Sequence, residues 1–160
     1  DLAYVDWTPA AGLGMTFGKM PQPWFRANGF FWDADITPEG IAARYSRGPF
    51  FAHGFGYWLS ERSAASDATL LGGQLGMRGQ LGGVKLTGAL GYFDVGAVQG
   101  EITTANAGVP CVNNPAFFGG PQGNSTVPDG NGCATLLYDF DMVEAVGLAE
   151  FDLGDRPVQL

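Results

Sequence analysis

The stretch "TLLGGQLGMRGQLGG", residues 69–83, and the run "VKLTGALGYFD", residues 84–94, both alternate between two kinds of side chain. Leu, Met and Gly occupy one parity of the first run, and Val, Leu and Tyr dominate one parity of the second. Successive side chains of a strand point to opposite faces, so this pattern predicts two strands that are each apolar on one side only. The long polar residues of the other parity are Gln74, Arg78, Gln80 and Lys85.

Only Gly82-Gly83 separates these two strands, which predicts a tight two-residue hairpin turn. The same alternation extends outward in both directions. We predict further strands at about residues 2–7, 13–20, 40–46, 50–60 and 134–153, with another beginning at Val158.

Short and long connections alternate along the chain. The short ones are "TPAAG", "SRGP", "GG" and "GDRP", and the longest runs from about residue 95 to about residue 133. All short turns therefore fall at one end of the predicted sheet. Alternating segments of about 10 residues with this asymmetry, and with aromatic residues near strand ends, are typical of outer-membrane β-barrels.

Composition favours the same fold class. The 160 residues include 26 Gly, and only 15% are charged, against about 25% in average chains. A water-soluble domain with so little charge is prone to associate, so we expect the outer surface to face lipid rather than water. No run reaches the roughly 18 apolar residues of a spanning helix, which leaves a closed β-structure as the means of crossing. The net charge of −8 argues against nucleic acid as a partner.

The two cysteines, Cys111 and Cys133, lie in the longest connection. One histidine in the whole chain offers too few ligands for a zinc site. We interpret the pair as a disulfide that closes a long extracellular loop over about residues 95–133, in an oxidising compartment. Two unrelated free thiols remain the alternative.

An acidic stretch, "FFWDADITPEG" at residues 30–40, invites comparison with known sites. Its sixth and twelfth EF-hand positions would be Pro38 and Arg44 in place of Gly and Glu, which excludes an EF-hand. A looser divalent site and a carboxylate pair for glycoside hydrolysis stay open as minor alternatives. No nucleophile, zinc or phosphate-binding motif is found, so we expect no enzymatic activity, no cofactor and no resident metal.

Two motifs carry a family resemblance: "FGKMPQPWF" at residues 17–25 and "WDADITPEG" at residues 32–40. Together they resemble the paired motif of the porin family of Gram-negative outer-membrane β-barrel proteins. The matching residues are Gly18, Lys19, Pro23, Trp24, Trp32, Asp33, Asp35, Pro38, Glu39 and Gly40. The other strands are similar to the family only in their general strand pattern and not in specific motifs.

The resemblance implies a channel for passive diffusion of small hydrophilic solutes or ions through the bacterial outer membrane. With the strand pattern, it leads us to expect an all-β fold: a transmembrane antiparallel up-and-down β-barrel. The chain would supply about seven to eight strands as a single region, residues 1–160, of a larger barrel, since water-filled porins need about 16 to 18 strands. The expected partners are the lipid bilayer, lipopolysaccharide and the permeating solutes, with association into a homotrimer left open.

Several residues receive roles within this hypothesis. The candidates for lining the pore are Gln74, Arg78, Gln80, Lys85 and Arg44. Asp33, Asp35 and Glu39 are candidates for an acidic entrance that pairs with Arg26 or Arg44, although a solvated acidic rim is an equal alternative. We expect regular pairing to begin after Pro38, at Gly40 or Ile41, because proline has no N–H to donate.

Other residues are expected to face or border lipid. His53 is placed among outward-facing aromatic residues. All four tryptophans are placed at the membrane–water interface, with ordinary core packing as the alternative. Segment 134–153 changes its apolar parity midway, which predicts a β-bulge near residue 142 or 143.

Two other classes of protein remain as alternatives. One is a structural or adhesin-like outer-membrane barrel without an open pore. The other is a secreted β-sandwich that binds carbohydrate through its aromatic residues.

Overall fold

The computed structural model describes residues 1–27, 32–33, 35–60, 66–105, 123–130, 133–153 and 156–159. These residues form an all-β structure whose main element is an antiparallel sheet of eight strands. The strands are β1 (Ala3–Ala10), β2 (Leu13–Lys19), β3 (Glu39–Arg47), β4 (Phe50–Ser60), β5 (Ala68–Leu81), β6 (Val84–Gly96), β10 (Phe140–Leu153) and β11 (Arg156–Gln159). They lie side by side in this order, which confirms the predicted antiparallel up-and-down arrangement.

The sheet is open. Its two edges are β1 and β11, and these strands do not pair with each other. Within the described ranges, no helix of membrane-spanning length and hydrophobicity is found.

The hairpin between β5 and β6 has the predicted two-residue turn. Gly82 and Gly83 both have positive φ, at 55° and 88°, a combination that suits glycine and matches the twist of a type I′ hairpin. The register from Thr69↔Gly96 to Leu81↔Val84 is unbroken, so period-two alternation assigns every residue of both strands to a face.

The long connection after β6 contains a second, smaller sheet, which the sequence did not reveal. Its strands are β7 (Ile102–Ala105), β8 (Thr126–Pro128) and β9 (Cys133–Leu136), in the order β7-β9-β8. The expected single strand over residues 134–153 is therefore wrong. Its first residues pair with the connection, and only the remainder, β10, joins the main sheet.

No bulge occurs where one was expected. β10 pairs with β6 continuously from Phe140↔Val95 to Glu150↔Lys85. The change of parity near residue 142 instead reflects a mixed face, on which Glu144 and Glu150 lie among the apolar residues Met142, Val146 and Leu148.

Residues paired across neighbouring strands share a face of the sheet, so the register sorts side chains onto two surfaces. One surface, here called the open face, carries nothing within the described residues and exposes large apolar side chains. Leu75, Leu81 and Val143 have exposed fractions of 70%, 74% and 74%. The opposite surface, here called the covered face, lies beneath part of the connection between β2 and β3.

Two adjacent rows of paired residues cross the middle of the open face without a charged side chain. The first row is Trp7, Met15, Ala43, Gly54, Gly73, Tyr92 and Val143. The second row is Ala10, Leu13, Tyr45, Ala52, Leu75, Leu90 and Ala145. The charged residues of this face in β1–β6 and β10 are Lys19, Glu39, Arg47, Asp94 and Asp141, all at or near strand ends. The open face is thus an apolar belt with charged margins.

Gly40, at the start of β3, shows how tightly the covered face is built. It pairs with Gly18 and Tyr57 and has a φ of 157°. A Cβ at this position would overlap the carbonyl oxygen of Gly56, and backbone cannot move aside as a side-chain end can. Pairing of β3 begins one residue earlier, at Glu39, directly after Pro38.

We expect Gly40→Ala to lower the free energy of unfolding by about 1–3 kcal/mol, because the added methyl group forces two strands apart. Gly54→Ala is the matched control, since nothing lies within 4 Å of a Cβ built there. Urea unfolding of both variants measures the difference, and equal midpoints for the two would show that the strand spacing is not rigid.

Candidate functional site

Residues 20–27, here called the docked segment, lie on the covered face. The Trp24 ring is 4.7 Å from the ring of Phe55 and 5.5 Å from that of Phe93, measured between centroids. Trp32 packs edge-on against Trp24 at 5.1 Å. Such aromatic pairs add about 0.5–1.5 kcal/mol each beyond the burial of their area, so the cluster fixes the docked segment to β4 and β6.

Small residues on β5 make room for this layer. Gly72 and Gly76 lie on the covered face, and a Cβ at either position would overlap the ring of Phe55 or Phe51. The glycines and the aromatic residues therefore complement each other across β4 and β5.

Gln74 connects the docked segment to the sheet through two hydrogen bonds. Its Oε1 accepts from the N–H of Phe25 at 2.8 Å, and its Nε2 donates to the carbonyl of Phe25 at 3.0 Å. Gln74 is 1% exposed, although it is a polar side chain. Because buried amide groups are costly when unpaired, this reciprocal pair both satisfies Gln74 and positions the segment.

Gln74 belongs to a row of paired polar residues on the covered face, here called the polar row: Arg44, His53, Gln74 and Glu144, with Gly91 between the last two. Nδ1 of His53 lies 3.3 Å from Oε1 of Gln74. Arg44 forms an ion pair with Asp6 at 3.5 Å, and Asp6 also accepts a hydrogen bond from the Thr16 hydroxyl. Both charges are about half exposed, so this pair adds little stability and mainly sets the orientation of Arg44.

All five candidates for lining the pore lie on the covered face: Gln74, Arg78, Gln80, Lys85 and Arg44. Four of them are partly or fully exposed, whereas Gln74 is buried beneath the docked segment. The Arg78 guanidinium carbon lies 4.2 Å from the centroid of the Phe51 ring, a cation–π contact. Their role in lining a pore stays a prediction.

The acidic candidates do not make the expected ion pairs. Arg44 pairs with Asp6, and Arg26 donates a hydrogen bond to the carbonyl of Trp32 at 3.2 Å. The Asp33 carboxylate instead accepts from the N–H of Asp35 at 3.0 Å. The third candidate, Glu39, lies beside Lys19 on the open-face parity. Among the described residues, no group of three or more potential metal ligands is found near this stretch or elsewhere.

Two expectations about lipid-facing residues are wrong. His53 lies on the covered face, because the aromatic parity of β4 is the buried one, with Phe51 and Tyr57 at 2% and 1% exposure. Trp24 is 4% exposed inside the aromatic cluster, and Trp32 packs against it. Trp7 and Trp58, at 55% and 53% exposure, lie on the open face, and their placement at a membrane–water interface stays a prediction.

A small cavity lies where the docked segment approaches β10. It has a volume of about 330 Å³, and its wall includes Arg26, Trp32, Glu144 and Val146. Sequence reasoning missed this site, because Arg26 and Glu144 are more than a hundred positions apart in unrelated motifs. The one feature of the sequence that could have indicated this cavity is Glu144, a charged residue within the apolar alternation of a strand.

Of the two cysteines, Cys133 is 4% exposed in β9. Cys111 lies outside the described residues, so the predicted disulfide and the loop that it closes stay predictions.

Comparisons of the chain with protein-family models, with curated proteins and with solved structures gave no match. The resemblance to the porin family therefore rests on the residues of the two motifs.

We expect Gln74→Leu to loosen the docked segment, because it removes both hydrogen bonds to Phe25 and leaves that backbone buried without partners. The loss of about 1–3 kcal/mol should raise the rate of tryptic cleavage after Arg26 by about fivefold to about 150-fold. Mass spectrometry of the fragments measures this rate. Gln80→Leu on the same face of β5 is the control. Similar cleavage rates in both variants would contradict the role of the Gln74–Phe25 hydrogen bonds in holding the docked segment.

Proposed function

We propose that the chain forms part of an outer-membrane porin, a β-barrel channel through which small hydrophilic solutes or ions diffuse passively. The observation that carries the proposal is the separation of charge between the two faces of one continuous sheet. Mid-strand charges lie on the covered face, and the open face is an apolar belt. This is the alternation expected when lipid touches one side of each strand and water the other.

The apolar belt suits a bilayer better than water. Contiguous apolar patches larger than a few hundred Å² are rare on soluble monomers and mark surfaces that contact a membrane or a partner. Leu71, Leu75 and Leu90 are exposed by 53%, 70% and 59% on adjacent strands. In hydrocarbon such residues are favourable, and Asp94 and Asp141 at strand ends would lie toward the headgroups.

The open edges of β1 and β11 require closure in this proposal. Unpaired N–H and C=O groups cannot be left in hydrocarbon, so a membrane-spanning sheet must close on itself. We therefore propose that further strands complete the barrel and that the covered face becomes the wall of its aqueous interior. The first motif that resembles the porin family, residues 17–25, includes most of the docked segment, and the second begins at Trp32, which packs against it. The docked segment would then narrow the interior from one side.

The two alternatives make different physical demands. A secreted sandwich needs a second sheet against the apolar belt. The small sheet of β7, β8 and β9 instead contributes Leu136 to a cluster with Ala68 and Val95, which lie on the covered-face parity of β5 and β6. A secreted sandwich would also stay in the aqueous phase without detergent. A closed structural barrel would be extracted by detergent but would carry no current, so conductance is the deciding measurement.

A charge placed in the apolar belt tests the contact with lipid. We expect Leu75→Arg to lower the stability of the protein in lipid vesicles by about 2–4 kcal/mol, the usual cost near the bilayer midplane. Gln80→Arg, on the covered face of the same strand, should change stability far less. Urea unfolding in vesicles measures both, and equal stability of the two variants would remove the lipid-facing assignment.

Ion selectivity tests the channel itself. In a planar bilayer with a salt gradient, we expect the full-length protein to conduct and Arg78→Gln to shift the reversal potential toward cations, because a positive charge leaves the interior. Arg47→Gln is the control, since Arg47 lies at a strand end on the open-face parity. Absence of any current would favour a barrel without a pore, and equal shifts in both variants would contradict the assignment of the covered face to the lumen.

A further inference from the structure

Residues of opposite charge line the cavity beside the docked segment. Arg26 lines it from the docked segment and Glu144 from β10, and Trp32 also forms part of the wall. From this arrangement, we propose that the cavity is a binding subsite for small zwitterions of the α-amino acid type. The solute carboxylate would bind Arg26, its ammonium group would bind Glu144, and its side chain would lie against Trp32.

The charges of Arg26 and Glu144 do not neutralise each other in an ion pair. Arg26 and Glu144 form no ion pair with one another in the described structure, where Arg44 and Asp6 form one. Arg26 uses Nη1 to donate to the Trp32 carbonyl, which fixes the guanidinium and leaves other N–H groups to bind an anion. The Oε2 atom of Glu144 is buried, and the Glu144 carboxylate lies beside the Trp32 side chain, which is its one neutral hydrogen-bonding neighbour among the described residues. A buried carboxylate with a neutral donor is stabilised further by a cationic donor that enters from the cavity.

The charge pattern selects against other solute classes. An inorganic cation is attracted by Glu144 but repelled by Arg26. A simple anion is attracted by Arg26 but repelled by Glu144. A neutral sugar leaves both charges without a counter-charge. A zwitterion alone matches both at once, and a volume of 330 Å³ lies at the small end of ligand pockets.

Apolar atoms complete the recognition. Ala27 and Val146 line the cavity together with the Trp32 ring, so an aliphatic or aromatic side chain would find an apolar surface there. Trp32 is itself held at 4.8 Å from Phe93, between centroids, so the surface is fixed before a solute arrives. The inference rests on the proposed channel for its role in transport, but it concerns a binding event that can be measured without any current.

Titration calorimetry of the full-length protein in detergent tests the subsite with three matched probes. L-leucine carries both charges, 4-methylpentanoate lacks the ammonium group, and 3-methylbutylamine lacks the carboxylate. We expect leucine to bind at least about tenfold more tightly than either single-charge probe, because each of those leaves one protein charge unmatched. Equal affinity for the three probes, or no binding of leucine, would overturn the proposal.

Two variants separate recognition from folding. Glu144→Gln keeps the shape of the side chain, and we expect it to weaken leucine at least about tenfold and to strengthen 4-methylpentanoate, because the carboxylate that repels this anion is removed. Lys85→Gln, on the covered face but outside the cavity, should leave all three affinities unchanged. An equal loss of both probes in Glu144→Gln would indicate a merely structural role and would overturn the subsite.

The binding and conductance results can be told apart. Conductance in potassium chloride without leucine binding overturns the subsite and leaves the channel. Selective leucine binding without conductance supports the subsite and overturns the channel.

Discussion

The continuous antiparallel register of the main sheet is the constraint on which the other features depend. From β2 to β6 and on to β10, residues pair without a slip over the middle of every strand. Since one residue of slippage would exchange the faces, this register alone keeps Leu75 and Leu90 on one side and Gln74 and Arg78 on the other. The apolar belt, the polar row and the docking surface for Trp24 are consequences of that single alignment.

The covered face combines two kinds of interaction that reinforce each other. Aromatic packing of Trp24 with Phe55 and Phe93 buries apolar surface and is only weakly directional. The reciprocal hydrogen bonds of Gln74 with Phe25 are directional, and they fix the position of the docked segment along the strand axis. Together they hold a chain segment without secondary structure in one position, and Arg26 is thereby placed opposite Glu144.

The sequence was sufficient for the positions of β1 to β6, and for the faces of β5 and β6, whose polar and apolar residues alternate. It was not sufficient for β4, where both parities are apolar or small and only the docked segment decides which one is buried. Hence His53 was assigned to the wrong side. The small sheet of β7, β8 and β9 was also missed, since strands of three or four residues are too short to show a period. Trp24 and Glu144 owe their environments to contacts between distant segments, which local patterns do not encode.

The docked segment precedes in the chain most of the strands that hold it. Its partner Gln74 is 49 positions further on, and Phe93 in β6 lies later still. The main sheet grows mainly by pairing consecutive strands, so its loops close at little entropic cost, whereas this docking must wait for three later hairpins. Folding would therefore end with the docking of residues 20–27, which can pack onto the covered face only after β4, β5 and β6 have paired.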